Sequence, residues 1–169
     1  FSQHSFAKVP QANMARSRFD RSFTAKDTMN FDELVPVFVD EVLPGDTINL
    51  NIKHFIRLAT QVVPLLDNMY IDYEFFFVPS RLVWDKWEKF NGASDEAGIQ
   101  DNDYLIPTLE TNVLGFPNGS IADHFGIPTE VPDTRDINAL PFRAFNLIWN
   151  DWYRDQNTQS KLTVERGDG

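Results

Sequence analysis

Strict alternation of apolar and polar side chains constrains the fold of this chain more than any other feature. From Thr47 to Lys53, Ile48, Leu50 and Ile52 stand on one side and Asn49, Asn51 and Lys53 on the other, the period of a half-buried antiparallel strand. From Met69 to Val78, Met69, Ile71, Tyr73, Phe75 and Phe77 alternate with Tyr70, Asp72, Glu74, Phe76 and Val78. The second of these faces turns from polar to apolar along the run, as it does where a strand becomes covered on both sides. Leu34 to Val42 adds a third run, with Val35, Val37 and Val39 in phase and Pro36 suited to an edge or strand start. Pro44-Gly45-Asp46 follows as a turn. These strands are too few to close a sandwich, so a mainly β fold is expected whose remaining strands lie elsewhere.

Helical spacing appears in two places. Leu82, Val83, Trp87 and Phe90 recur at helical intervals after Ser80 until Asn91-Gly92 supplies a stop, and Phe142, Phe145, Trp149 and Trp152 follow Pro141 at intervals of three and four. A short helix at Ser120 to Phe125, ended by Gly126, interrupts residues 93 to 140, a stretch with eight of the chain's prolines and glycines that is expected to be an inserted surface loop. Helix positions Trp84, Trp87, Phe142, Phe145, Trp149 and Trp152 are the candidate packing residues between this body and neighbouring subunits.

Charge divides the chain. Residues 1 to 26 carry Lys8, Arg16, Arg18, Arg21 and Lys26 against Asp20 alone, a surplus of +4 in a chain whose total is −10. Residues 1 to 33 show no sustained period and are expected to form an extended basic arm that docks on other surfaces rather than folding on itself, ahead of a body at 34 to 169. Arginine next to phenylalanine suits single-stranded nucleic acid, through phosphate pairing and base stacking. The same composition suits rings plugging a neighbour's pockets while Arg16, Arg18 and Arg21 pair with its acidic surface. Lys8, Arg16, Arg18 and Arg21 are the candidate contacts on either reading.

Signals for chemistry are missing. Zero cysteines exclude disulfides, thiolate metal sites and thiol nucleophiles within these residues. His4, His54 and His124 lie too far apart in sequence for a paired-histidine motif, and no phosphate-cradling glycine loop or serine elbow is present. Asp72 and Glu74 sit on the polar face of a strand, where no environment raises a carboxyl pKa. No catalytic residue, cofactor, metal or membrane span is expected. Arg166-Gly167-Asp168 reads as a flexible polar loop and not as an adhesion tripeptide.

Six segments carry a specific likeness: Arg16-Ser17-Arg18-Phe19-Asp20-Arg21-Ser22, Glu41-Val42-Leu43-Pro44-Gly45-Asp46-Thr47, Arg57-Leu58-Ala59-Thr60, Asp67-Asn68-Met69-Tyr70, Phe75-Phe76-Phe77-Val78-Pro79-Ser80-Arg81-Leu82-Val83-Trp84 and Leu140-Pro141-Phe142-Arg143-Ala144-Phe145-Asn146-Leu147-Ile148-Trp149-Asn150. In this order the chain resembles the N-terminal portion of the major capsid proteins of Microviridae, above all the gokushovirus branch. The resemblance implies a viral jelly-roll β-sandwich with long loop insertions and a few short helices. It further implies self-assembly into a T=1 icosahedral shell around a single-stranded DNA phage genome, with other virion proteins as further partners. Its place would be the virion, assembled in the cytoplasm of a host bacterium.

The alternative from another class is a monomeric β-sandwich that binds carbohydrate, with Trp84, Trp87, Trp149 or Trp152 stacked on sugar rings. Helical placement of these tryptophans speaks against it, because sugar platforms present their rings on a sheet face or loop.

Overall fold

A computed structural model describes residues 14–93, 104–111, 113–134 and 136–168. Its organising element is helix α1 of the C-terminal half, Leu140–Ile148. Pro141 lies in the first turn, where its missing N–H is not needed and its fixed φ already suits a helix. The free amide of Leu140 donates to Asn138 Oδ1 at 2.9 Å, which satisfies one of the donors that a helix start leaves over. After Ile148 the backbone widens into a π-helical turn, Trp149–Tyr153, and leaves the helical region at Arg154. Leu140, Ala144 and Leu147 share the inner face and pack on Val83 and Trp84, which retain 2% and 0% exposure. Burial of aliphatic side chains such as Val83 and Leu140 stabilises by about 1.5–3 kcal/mol each.

The helix expected over Ser80 to Phe90 is split. A 3-10 turn spans Ser80–Leu82 and a single α-helical turn spans Trp87–Phe90. Between them the chain turns Trp84 inward, and the groups freed by the break find other partners. Val83 O accepts from Arg143 at 3.2 Å, and Asp85 N donates to Arg166 O at 3.0 Å. Packing of one indole therefore overrides a local helical pattern. The stop falls at Asn91-Gly92, where Gly92 has φ +94°. Trp84, Trp87 and Phe90 form a ring cluster with centroids 5.3–6.3 Å apart.

Residues 104 to 139 leave and rejoin the body as an excursion. At its base β1, Thr108–Leu109, pairs antiparallel with β2, Ile137–Asn138, and Ala139 N donates to Pro107 O at 2.9 Å. Farther out, Thr111 and Thr134 exchange hydrogen bonds, and Phe116 forms a bridge with Thr129. The tip carries a one-turn helix, Ile121–His124, whose Asp123 N–H is capped by Ser120 Oγ at 3.4 Å and which stops before Gly126 at φ +78°. Phe116 and Phe125 fold down onto Phe142, with centroids 6.4 and 5.0 Å away, and so dock the tip on helix α1.

The alternating runs between Leu34 and Val78 form no ladder; among the described residues the strand pairs are β1–β2 and the Phe116–Thr129 bridge. Helix is likewise confined to short pieces. Ile48, Leu50 and Ile52, the inward face of the first run, remain 43–50% exposed. Among the described residues no helix is long and apolar enough to cross a membrane.

Candidate subunit-contact surface

The basic arm behaves differently from expectation: its described part folds back on the chain's own residues. Arg16 donates to Gly45 O at 2.6 Å, Arg21 meets Asp40 at 2.8 Å, and Phe23 stacks on Phe38 at 5.6 Å. In each contact the two residue numbers total 61, the constant sum of an antiparallel register. The reversal falls at Asn30–Glu33, where Asn30 donates twice to the Glu33 carboxylate and Asp32 takes φ +61°. Those two donations hold the Glu33 carboxyl below its ordinary pKa. Asp27 pairs with His124 at 2.6 Å, which ties the arm to the excursion tip. Arg16 and Arg21 are thus engaged within the chain, whereas Arg18 makes no bond among the described residues and Phe19 is 80% exposed. Lys8 lies outside the described residues.

The candidate packing residues divide by burial. Trp84 is sealed in the chain's own core, with its indole N–H donating to Asp168 Oδ1 at 3.1 Å, so it has no surface left for a neighbour or a sugar. Trp87 packs beside it, and Phe142 sits between Phe116 and Phe125. Phe145 and Trp149 are half-buried. Trp152 is 71% exposed and leans on Phe76 at 5.7 Å, at one end of an open groove of about 180 Å³ between the Phe76–Val78 segment and helix α1. Beside it the Tyr153 hydroxyl donates to Glu74, and burial followed by that carboxylate pushes its pKa up to about 12.

Sequence reasoning missed a strap. Residues 162 to 168 run back along helix α1, held by Asn150 at Leu162, Asn146 at Thr163 O and Arg143 at Gly167 O. Arg166 then pairs with Asp85 at 2.7 Å, and Asp168 accepts from Trp84 and Lys86. The Arg166-Gly167-Asp168 tripeptide is a clamp on the chain's own core and not the free loop expected of it. The 3-4 spacing of Arg143, Asn146 and Asn150, polar residues within an aromatic helix, is the one signal that pointed there.

The surface left over is strongly apolar. Phe55, Val62, Leu66, Tyr70 and Phe77 are each 78% exposed or more, and Val63, Phe75, Leu105 and Leu114 at least 59%. So many large side chains in water mark a surface to be covered, by further polypeptide or by a neighbouring copy.

Residues 7–169 match the family model described as capsid protein (F protein). The chain is 62% identical over 167 residues to capsid protein VP1 of Bdellovibrio phage phiMH2K, covering 99% of this chain and 31% of that protein. It is 47% identical over 168 residues to capsid protein VP1 of Chlamydia phage 1, covering 96% of this chain and 28% of the relative. To capsid protein VP1 of Spiroplasma virus 4 it is 34% identical over 161 residues, covering 95% and 29%. The chain spans less than a third of the length of these curated relatives. With a family match over residues 7–169 and 62% identity to a relative across 99% of its own length, the chain belongs to the phage capsid protein (F protein) family.

Proposed function

We propose that this chain is part of a major capsid protein, a structural protein that assembles with copies of itself into a T=1 icosahedral shell around a single-stranded DNA phage genome. The observation that carries the reading is the match to phage capsid proteins over nearly the whole chain, beside an apolar surface from Phe55 to Phe77 that has no cover among the described residues and is left to the rest of the polypeptide or to neighbouring copies. In such a shell the runs from Leu34 to Val78 are strands of a jelly roll completed by the rest of the polypeptide. Residues 1 to 33 serve as the arm, 34 to 169 as the first part of the jelly-roll domain, and about 93 to 140 as its inserted loop. Lys8, Arg16, Arg18 and Arg21 are the arm's cations for the genome or for neighbouring subunits, and many modest contacts per subunit add up to a stable particle.

Expression of the full-length polypeptide, followed by sedimentation and negative-stain microscopy, tests this directly. Closed shells of uniform size are expected; a compact monomer that persists at high concentration would overturn the proposal. Charge reversal of Lys8, with Arg16 and Arg21 left in their bonds to Gly45 and Asp40, is expected to lower the DNA content of purified particles, and unchanged content removes the genome from the partners of Lys8.

A further inference from the structure

The groove beside Trp152 and the free stretch of the arm complement one another. Apolar Phe77, Leu82, Leu147 and Ile148 line the groove, Trp152 stands at one end, and Asp151 supplies its negative charge. Phe77 is 78% exposed, Leu82 45% and Trp152 71%. Among the described residues no cation pairs with Asp151. The arm presents the converse: Phe19, 80% exposed, follows Arg18, a guanidinium without a partner among the described residues. Every other charged or aromatic anchor of the arm's Arg16 to Phe23 stretch is used at home, Arg16 on Gly45, Arg21 on Asp40, Asp20 on Ser22 and Phe23 on Phe38.

We infer that Arg18 and Phe19 of one subunit dock in the Trp152 groove of a neighbouring copy, the Phe19 ring among Leu82, Leu147 and Trp152 and the Arg18 guanidinium on Asp151. Neither Arg18 nor Phe19 lines the groove of its own chain, and bonds at Arg16 and Arg21 hold the residues on either side of them against 40 to 45. Aromatic seating in an apolar slot with a charge-assisted bond at its rim is the arrangement of an interface anchor. The inference rests on the assembly reading above and specifies one of its contacts.

A charge exchange in the full-length protein tests it. Arg18→Asp and Asp151→Arg should each lose shells in sedimentation and microscopy, and the two together should recover them. Singles that assemble like the parent, or a pair no better than the worse single, overturn the inference. A second measurement uses the absence of cysteine from these 169 residues. Protein carrying Phe19→Cys, co-assembled with protein carrying Leu82→Cys, should give a covalent dimer on a non-reducing gel. Normal shells without that dimer refute the contact while leaving assembly standing, as does a cross-link formed only when both cysteines share one chain. A parent that never assembles sinks the assembly reading and this inference with it.

Discussion

Asn150 and Leu162 are joined by a closed pair of hydrogen bonds, the Leu162 amide donating to Asn150 Oδ1 and Asn150 Nδ2 donating to Leu162 O, both at 2.8 Å. A side-chain amide here does what a neighbouring strand would do, offering one donor and one acceptor to an extended backbone. Asn150 is only 7% exposed, so removing it leaves two peptide groups poorly satisfied. Asn150→Ala should destabilise the strap by about 1–3 kcal/mol. Hydrogen exchange at the Leu162 amide reads this locally; protection equal to the parent's would refute it.

Gly115 should tolerate no side chain. Its φ is +76°, and a Cβ there would lie 2.5 Å from both the N and the O of Val131. Substitution by alanine must strain the left-handed backbone and push Val131 away, at about 1–3 kcal/mol. Limited proteolysis should show faster cleavage within residues 113–134 in Gly115→Ala, while Gly119→Ala, where nothing lies within 4 Å of the added carbon, should differ far less.

The two ends of the aromatic series should separate stability from assembly. Trp84→Ala opens a cavity in the core and should cost about 3–5 kcal/mol. Trp152→Ala removes a ring that is 71% exposed and should leave the unfolding midpoint nearly unchanged. Denaturant unfolding of both variants checks this; a larger loss in Trp152→Ala than in Trp84→Ala would reverse the assignment.

Acid should release the strap late. The Lys86 ammonium and then the Trp84 indole N–H hold the Asp168 carboxyl below its ordinary 3.8. A carboxylate with a lowered folded pKa contributes stability that is present above the unfolded value and lost as pH falls through the folded one. Trp84 emission should therefore stay constant down to about pH 4 and change only below it. In Asp168→Asn that acid transition should be missing.

Alkali acts at the end of the π-helical turn that follows helix α1. The Tyr153 phenol, raised from 10.0 to about 12, contributes stability that is complete below pH 10 and is lost as pH rises through about 12. Phenolate absorbance should show one tyrosine titrating late, and Glu74→Gln should bring it part of the way back, burial being the larger cause.

Local signals in the sequence carried the helix ends well. Ser120, Gly126, Pro141 and Asn91-Gly92 sit at the boundaries their chemistry predicts, because caps and stops depend on the nearest few residues. The break after Leu82 was not legible, since it depends on Asp168 and Arg143, which lie 84 and 60 residues from their partners Trp84 and Val83. The folded-back arm was partly legible: Arg21 opposite Asp40 and Phe23 opposite Phe38 follow once a reversal at Asn30–Glu33 is recognised. Alternation between Leu34 and Val78 states which side chains share a face, and it says nothing of which strand lies alongside.

Arg143, Asn146 and Asn150 all grip the strap by its peptide groups and none by its side chains. Mutational tolerance should therefore be lopsided: the three helix positions are held to their chemistry, while Leu162 and Thr163 are free to drift so long as the peptide keeps its course. A helix that reads only main chain can keep its grip while the sequence passing over it is rewritten.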